Sequence, residues 1–160
     1  METQKPEFTP LKNKKYHQGI FRPKHPEKYI GNVKNIKFRS GLELKYFQRI
    51  DENPNIIKWA SEEFSIPYIL SINGKKHNYF PDILIMYKAK DGTIKKTLIE
   101  IKPYNFLFPP KKPKRITQSY IKRLEEYTKN IDKWKFAKQY CEQNNMNFVI
   151  LTEKNLGNGK

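Results

Sequence analysis

The chain has 160 residues, with 32 Lys and Arg against 16 Asp and Glu, a formal net charge of +16. That length sets one domain with room for a real core, and no run approaches the roughly eighteen apolar residues of a membrane span. The single cysteine, Cys141, excludes an internal disulfide and fits a reducing compartment, and the N-terminus carries no apolar run of the signal-peptide type.

The charge exceeds what solubility needs and is unevenly placed. Residues 11–39 carry nine Lys or Arg against one acid, Glu27. A polyanionic partner, DNA or RNA, is expected, and no membrane partner. Residues 1–28 are polar, basic and interrupted by proline, so they read as an N-terminal arm. Phe21 and Tyr29 suggest that its later part touches the body.

Ser40 has N-cap chemistry, and Glu43 follows at capping-box spacing, so a helix is expected through about Glu52. Leu42, Tyr46, Phe47 and Ile50 form its apolar stripe, and Asn53-Pro54 ends it. Glu43 stands four residues before Phe47 and seven before Ile50, which puts it on or beside that inward stripe. Strands are expected over 56–60 and 64–72, with a hairpin turn at Asn73-Gly74. Further strands follow over 78–87 and 95–102, separated by the turn Lys90-Asp91-Gly92. Glu62 and Glu63 fall between strands, where the default reading is ordinary turn acids; beside Trp59 the alternative is that they brace Arg39 or a lysine, or meet a protein partner. Residues 103–115 hold four prolines, which exclude helix and central strand. This loop pairs exposed aromatics with Lys111, Lys112, Lys114 and Arg115. From Thr117 to about Asn144 the pattern is helical, with Ile131, Trp134, Ala137, Lys138 and Cys141 at helical spacing as a core face. A last strand over 148–151 is expected beside 95–102, buried on both faces.

Chemistry gathers at Asp82 and at Glu100-Ile101-Lys102. Side chains alternate along a strand, so Glu100 and Lys102 point one way while Ile99 and Ile101 point the other. Two carboxylates can hold a hard divalent cation. A lysine beside them can orient or deprotonate a water aimed at a phosphate. Burial, neighbouring carboxylates and a metal ion pull the pKa of such a lysine in opposite directions. His17, His25 and His77 with Cys141 match no compact zinc spacing. His77 precedes the Asp82 strand and is a candidate phosphate contact. No Walker A or Gly-x-Gly-x-x-Gly pattern indicates ATP or a dinucleotide.

The order of helix with Glu43, strands, Pro81-Asp82, Glu100-x-Lys102, helix and strand resembles the PD-(D/E)xK nuclease superfamily, over roughly residues 36–153. Phe21-Arg22-Pro23-Lys24, Pro26-Glu27-Lys28-Tyr29-Ile30-Gly31, Arg39-Ser40 with Glu43-Leu44, Trp59-Ala60-Ser61-Glu62-Glu63 and Pro109-Pro110-Lys111-Lys112-Pro113 resemble the head-completion nucleases of tailed phages related to T4. The Arg-Ser-x-x-Glu phrase is more distantly similar to the transposon-end nuclease subunit of Tn7-like elements.

The resemblance implies an α/β fold with a restriction-endonuclease-like core, a central mixed sheet flanked by helices. The domain would span 29–156, after the arm 1–28 and before a tail 157–160. It implies an endodeoxyribonuclease using Mg²⁺, with Mn²⁺ as a substitute. By the family pattern Asp82, Glu100 and the Ile101 carbonyl hold the metal, Glu43 contributes directly or through water, and Lys102 activates water or positions phosphate. Arg39, Ser40, His77, Tyr104, Lys111, Lys112, Lys114 and Arg115 are the candidate substrate contacts. The expected partners are DNA and phage head or portal proteins, in the cytoplasm of an infected bacterium or on the virion. Two alternatives stand beside this. One is a DNA-binding or capsid-joining structural protein that retains the fold; the other is a junction or flap nuclease of the same superfamily.

Overall fold

A computed structural model describes residues 8–10 and 18–157. The expected arm over 1–16, His17 and the tail residues 158–160 otherwise fall outside the described residues. In chain order the elements are strands β1 (Phe8–Pro10), β2 (Gly19–Phe21) and β3 (Ile36–Phe38), helix α1 (Gly41–Glu52), and strands β4 (Ile56–Ala60), β5 (Ile66–Leu70), β6 (Lys75–Tyr79), β7 (Ile83–Lys88) and β8 (Ile94–Ile101). Helix α2 (Gln118–Gln143) and strand β9 (Asn147–Leu151) complete the chain.

The central sheet has the order β4-β7-β8-β9. Its first two pairings are antiparallel and the last, β8 with β9, is parallel. The parallel pair needs a crossover connection, and helix α2 supplies it between β8 and β9. Strands β1, β2 and β3 form a small antiparallel sheet, and β5 and β6 a separate hairpin closed at Asn73-Gly74. Gly74 takes φ +66°, the left-handed region that turns of this kind require.

The alternation along β8 sorts the core. Ile99 and Ile101 pack with Tyr46, Phe47 and Ile50 of α1 and with Trp59. Leu98 packs with Ala137 and Cys141 of α2 and with Tyr68 and Tyr79 of the hairpin. The helices therefore cover opposite faces of one mixed sheet, as expected. Cys141 lies in this second cluster, and burial pushes its thiol up to about 11. No helix among the described residues is long and apolar enough to cross a membrane.

Helix α1 is fixed at both ends. The Ser40 hydroxyl accepts the Glu43 N–H at 3.1 Å, the cap read from the sequence. At the other end Lys28 Nζ donates to the carbonyls of Ile50, Asp51 and Asn53 at 3.2, 2.7 and 2.8 Å. A cation is favoured where a helix leaves its last carbonyls unpaired. The buried Asp51 carboxylate accepts the Lys24 and His25 N–H groups at 2.7 and 3.3 Å. Residues 24–28 thus clamp the C-terminal end of α1.

Five expectations differ from the structure. Ile131 and Lys138, expected on the core face of α2, are exposed, because they fall outside the Trp134, Ala137 and Cys141 line that meets the sheet. The arm expected over 1–28 gives way to the folded body before its end, while the contact expected of Phe21 is present: it is 1% exposed and its ring packs 5.8 Å from Phe47 and 6.0 Å from Trp59. The strand expected over 78–87 is two strands, broken at Phe80-Pro81-Asp82, because proline has no N–H for the ladder. The strand expected over 64–72 is shorter, Ile66–Leu70. Strand β9 is an outer strand with Val149 37% exposed, since α2 covers only one of its faces; it is not buried on both.

The Lys28 clamp sets a measurable expectation. Lys28→Met should lower unfolding stability by about 1–3 kcal/mol, the range for hydrogen bonds from a charged group. Urea denaturation checks it, with a shifted midpoint and an unchanged slope.

Candidate active site

The break between β6 and β7 and the end of β8 meet at one place. Pro81 is fully buried, and Asp82 beside it projects toward β8. Asp82 Oδ2 accepts the Ile101 N–H at 2.7 Å. The next N–H, that of Lys102, donates to the Leu151 carbonyl at 2.9 Å, so β8 and β9 stay paired up to the site. Glu100 is 4% exposed. One of its oxygens lies 3.4 Å from Lys102 Nζ, and the other accepts a short hydrogen bond from the Tyr79 hydroxyl. The structure thus brings Asp82, Glu100, Ile101 and Lys102 together, in the relation expected from strand alternation.

The electrostatics follow from crowding. Asp82 keeps a small solvent-facing edge but is otherwise surrounded by protein. Burial first, and then the Glu100 charge, hold its carboxyl well above the usual carboxylate range; the Ile101 N–H and Lys102 offset only part of this. Burial and the Glu100 charge likewise push the Tyr79 hydroxyl up.

Glu43 approaches from the first turn of α1 and feels both Asp82 and Glu100. Its Oε2 accepts the Arg39 N–H at 2.8 Å, so the carboxylate also serves the helix start. Burial raises its pKa, the Arg39 N–H opposes this, and Glu62 adds to it. Arg39 Nη1 pairs with Glu62 Oε1 at 2.7 Å, the bracing read as the alternative for that glutamate. Glu63 accepts from the Tyr29 hydroxyl at 3.0 Å and presses against Gly31, where an added Cβ would meet its carboxylate at 2.4 Å.

Among the described residues no three His, Cys, Asp or Glu side chains converge as a metal cluster. Asp82 and Glu100 lie within each other's electrostatic reach, as does Glu43, which is engaged at the Arg39 N–H. The donor set fits Mg²⁺ or Mn²⁺: its donors are hard oxygens, and Mg²⁺ takes few ligands from protein.

The candidate substrate contacts divide. Ser40 is the α1 cap. His77 lies on β6 with its ring 5.8 Å from that of Tyr68, its partner across the hairpin, and its Nε2 is buried without a hydrogen-bond partner. Lys111, Lys112, Lys114 and Arg115 are all exposed. Their loop is anchored at its start. Arg123 of α2 stacks 3.8 Å over the Phe106 ring. Tyr104 packs edge-on against Phe108 at 5.2 Å, with the Lys154 ammonium 3.3 Å over its other contact surface.

Two residues at the site escaped the sequence. Tyr79 reads as an ordinary strand aromatic. Lys133 lies over its ring, at 5.5 Å from the centroid. The available signal was helical spacing: Lys133 stands four residues before Ala137 and eight before Cys141, on the stripe that faces the sheet.

A mixed sheet between two helices, with an acidic pair and a lysine where β6, β7 and β8 meet, is the restriction-endonuclease-like core of the PD-(D/E)xK nucleases. The model of the TnsA-like endonuclease N-terminal family matches residues 53–153, a stretch that holds Asp82, Glu100, Lys102 and Lys133. The chain belongs to this family. It is also 42% identical over 144 residues to a protein named head completion nuclease from Enterobacteria phage T4, covering 88% of this chain and 93% of that protein.

The crowding of Asp82 against Glu100 has a direct consequence. Asp82→Asn keeps an acceptor for the Ile101 N–H and removes a buried like charge. The variant without added metal should be more stable than wild type at pH 8 by about 1 kcal/mol, or roughly 2–4 °C in Tm. Thermal denaturation in a chelator checks it, and a lower Tm would show that the carboxylate pair is not strained.

Proposed function

We propose that this chain is a divalent-metal-dependent endonuclease that hydrolyses DNA phosphodiesters, with Mg²⁺ as cofactor and Mn²⁺ as a substitute, and that it acts in completing the head of a tailed phage. The observation that carries the chemistry is the convergence of buried Asp82 and Glu100 with Lys102. Asp82, Glu100 and the Ile101 carbonyl would hold the metal, with Glu43 contributing through water from its place at Arg39. When bound, the cation supplies neutralisation of phosphate charge and a more acidic water.

The chain's own residues do the rest. A phosphodiester resists attack because its charge repels the nucleophile. Lys102 is half-shielded from solvent and held beside Glu100, where it aligns the attacking water and steadies the charge that builds on the phosphate oxygens. The water oxygen bonds to phosphorus and releases its proton to solvent as the bond to the leaving sugar oxygen breaks, and that oxygen takes up a proton from solvent. The exposed bases of the 111–115 loop are placed downstream of β8, where they would grip backbone. Backbone contacts carry little sequence information, so cleavage should show weak sequence preference.

Supercoiled plasmid in Mg²⁺ gives the direct test. Wild type should nick or linearise it, chelator should stop this, and Asp82→Ala, Glu100→Ala and Lys102→Ala should each lose about 100-fold or more. Equal cleavage by wild type and Asp82→Ala would mean a contaminating nuclease and overturn the assignment.

The assembly role rests on the similarity to the phage T4 protein. A small, strongly basic protein suits DNA at a head opening, with head or portal proteins as partners and the host cytoplasm as the place of action. A phage carrying this chain with Asp82→Ala should accumulate DNA-filled heads that join tails poorly, counted by electron microscopy of lysates. Normal particles with defective replication would instead point to a different role for the same chemistry.

A further inference from the structure

Lys133 is out of place for a surface lysine. It sits among Asn130, Trp134, Ala137 and Cys141, the buried residues of α2, and is itself only partly exposed. Among the described residues no carboxylate lies within ion-pair distance of its ammonium. Its recorded close contact is the Tyr79 ring, at 5.5 Å from the centroid, within the range of a cation–π attraction. The hydroxyl of that same ring donates to Glu100. Burial depresses the Lys133 pKa, and the Glu100 charge restores part of it.

A half-buried cation with no carboxylate partner on a packed face calls for an anion. Charge counting says which one. Ionised Asp82, Glu100 and Glu43 against Lys102 and Lys133 sum to minus one. A divalent cation then leaves a surplus of one, which matches one phosphodiester. Without Lys133 the surplus would be zero, and the phosphodiester would enter uncompensated.

We propose that Lys133 is a second phosphate-binding ammonium of the site, contacting a non-bridging oxygen of the scissile phosphodiester while the Tyr79 ring holds it in place. This rests on the endonuclease reading above. Lys102 and Lys133 reach the site from different elements, β8 and α2, so the phosphate would be held from two directions. Tyr79 is a positioning residue, since it acts through Lys133 and Glu100.

The test measures binding and cleavage separately. A short labelled duplex is titrated by fluorescence anisotropy over a series of KCl concentrations, with a fixed amount of Ca²⁺ in place of Mg²⁺. Losing one phosphate contact should reduce the slope of log affinity against log salt by about 0.9 in Lys133→Met, and Lys133→Arg should restore it. In Mg²⁺, Lys133→Met should lose about 10- to 100-fold in kcat/KM and Lys133→Arg should recover most of it. Lys133→Gln substitutes for Lys133→Met if the latter loses Tm. An unchanged slope in a folded variant lacking the charge overturns the proposal whatever its cleavage rate. If wild type fails to cut DNA in Mg²⁺ or Mn²⁺, the endonuclease reading falls, while the salt slopes still decide the phosphate contact.

Discussion

The hydrogen bond from the Ile101 N–H to Asp82 Oδ2, at 2.7 Å, ties the end of β8 to the break between β6 and β7. That break exists because Pro81 cannot continue a ladder. The carboxylate it frees takes over the N–H at the strand end, and in doing so comes to rest beside Glu100. Remove the bond and Asp82 has no reason to stay in a low-dielectric place near a like charge. Keep it and two acids are fixed within each other's field, with Lys102 at 3.4 Å from one of them.

Such a centre is costly to the fold. The raised Asp82 and Glu43 are the signature of carboxylates held where water cannot fully solvate them. The stability that offsets this lies in the apolar layers on each side of the sheet. Trp59 is central to one of them, with the rings of Phe21, Tyr29 and Phe47 all within 6.0 Å. Tyr29 joins that cluster to the acidic loop, because its hydroxyl meets Glu63. The clamp at residues 24–28 holds α1 from its C-terminal end, and the opposite end of the same helix carries Glu43 toward the site. Packing far from the chemistry thus fixes one of the groups near it.

The two faces of the sheet contribute differently. The α1 face supplies the aromatic core and Glu43. The α2 face supplies Ala137 and Cys141 as packing, and Lys133 as a charge delivered through it. The β5–β6 hairpin lies on this second side, which is how Tyr79 at the end of β6 comes to touch Glu100.

Much of this was legible in the chain. The Ser40 cap, the turn at Asn73-Gly74, the Glu-x-Lys alternation and the Trp134, Ala137 and Cys141 spacing in α2 are local patterns, set by backbone geometry and side-chain period. They determined most of the order of elements from α1 onward and the placing of Glu100 and Lys102 on one strand face; the class of fold came with the resemblance of the Pro81-Asp82 and Glu100-x-Lys102 order to the PD-(D/E)xK nucleases. The tertiary structure alone decided what those patterns could not encode. Phe21 joined the core because distant aromatics offered it apolar surface. His77 came to lie beside Tyr68 because the hairpin pairs their strands. Glu43 met the Arg39 N–H because its helix start needed an acceptor. Tyr79 reached Glu100, and Lys133 came to lie over the Tyr79 ring, because a long helix and a hairpin, far apart in sequence, both pack on one face of β8; no period within either segment specifies that meeting.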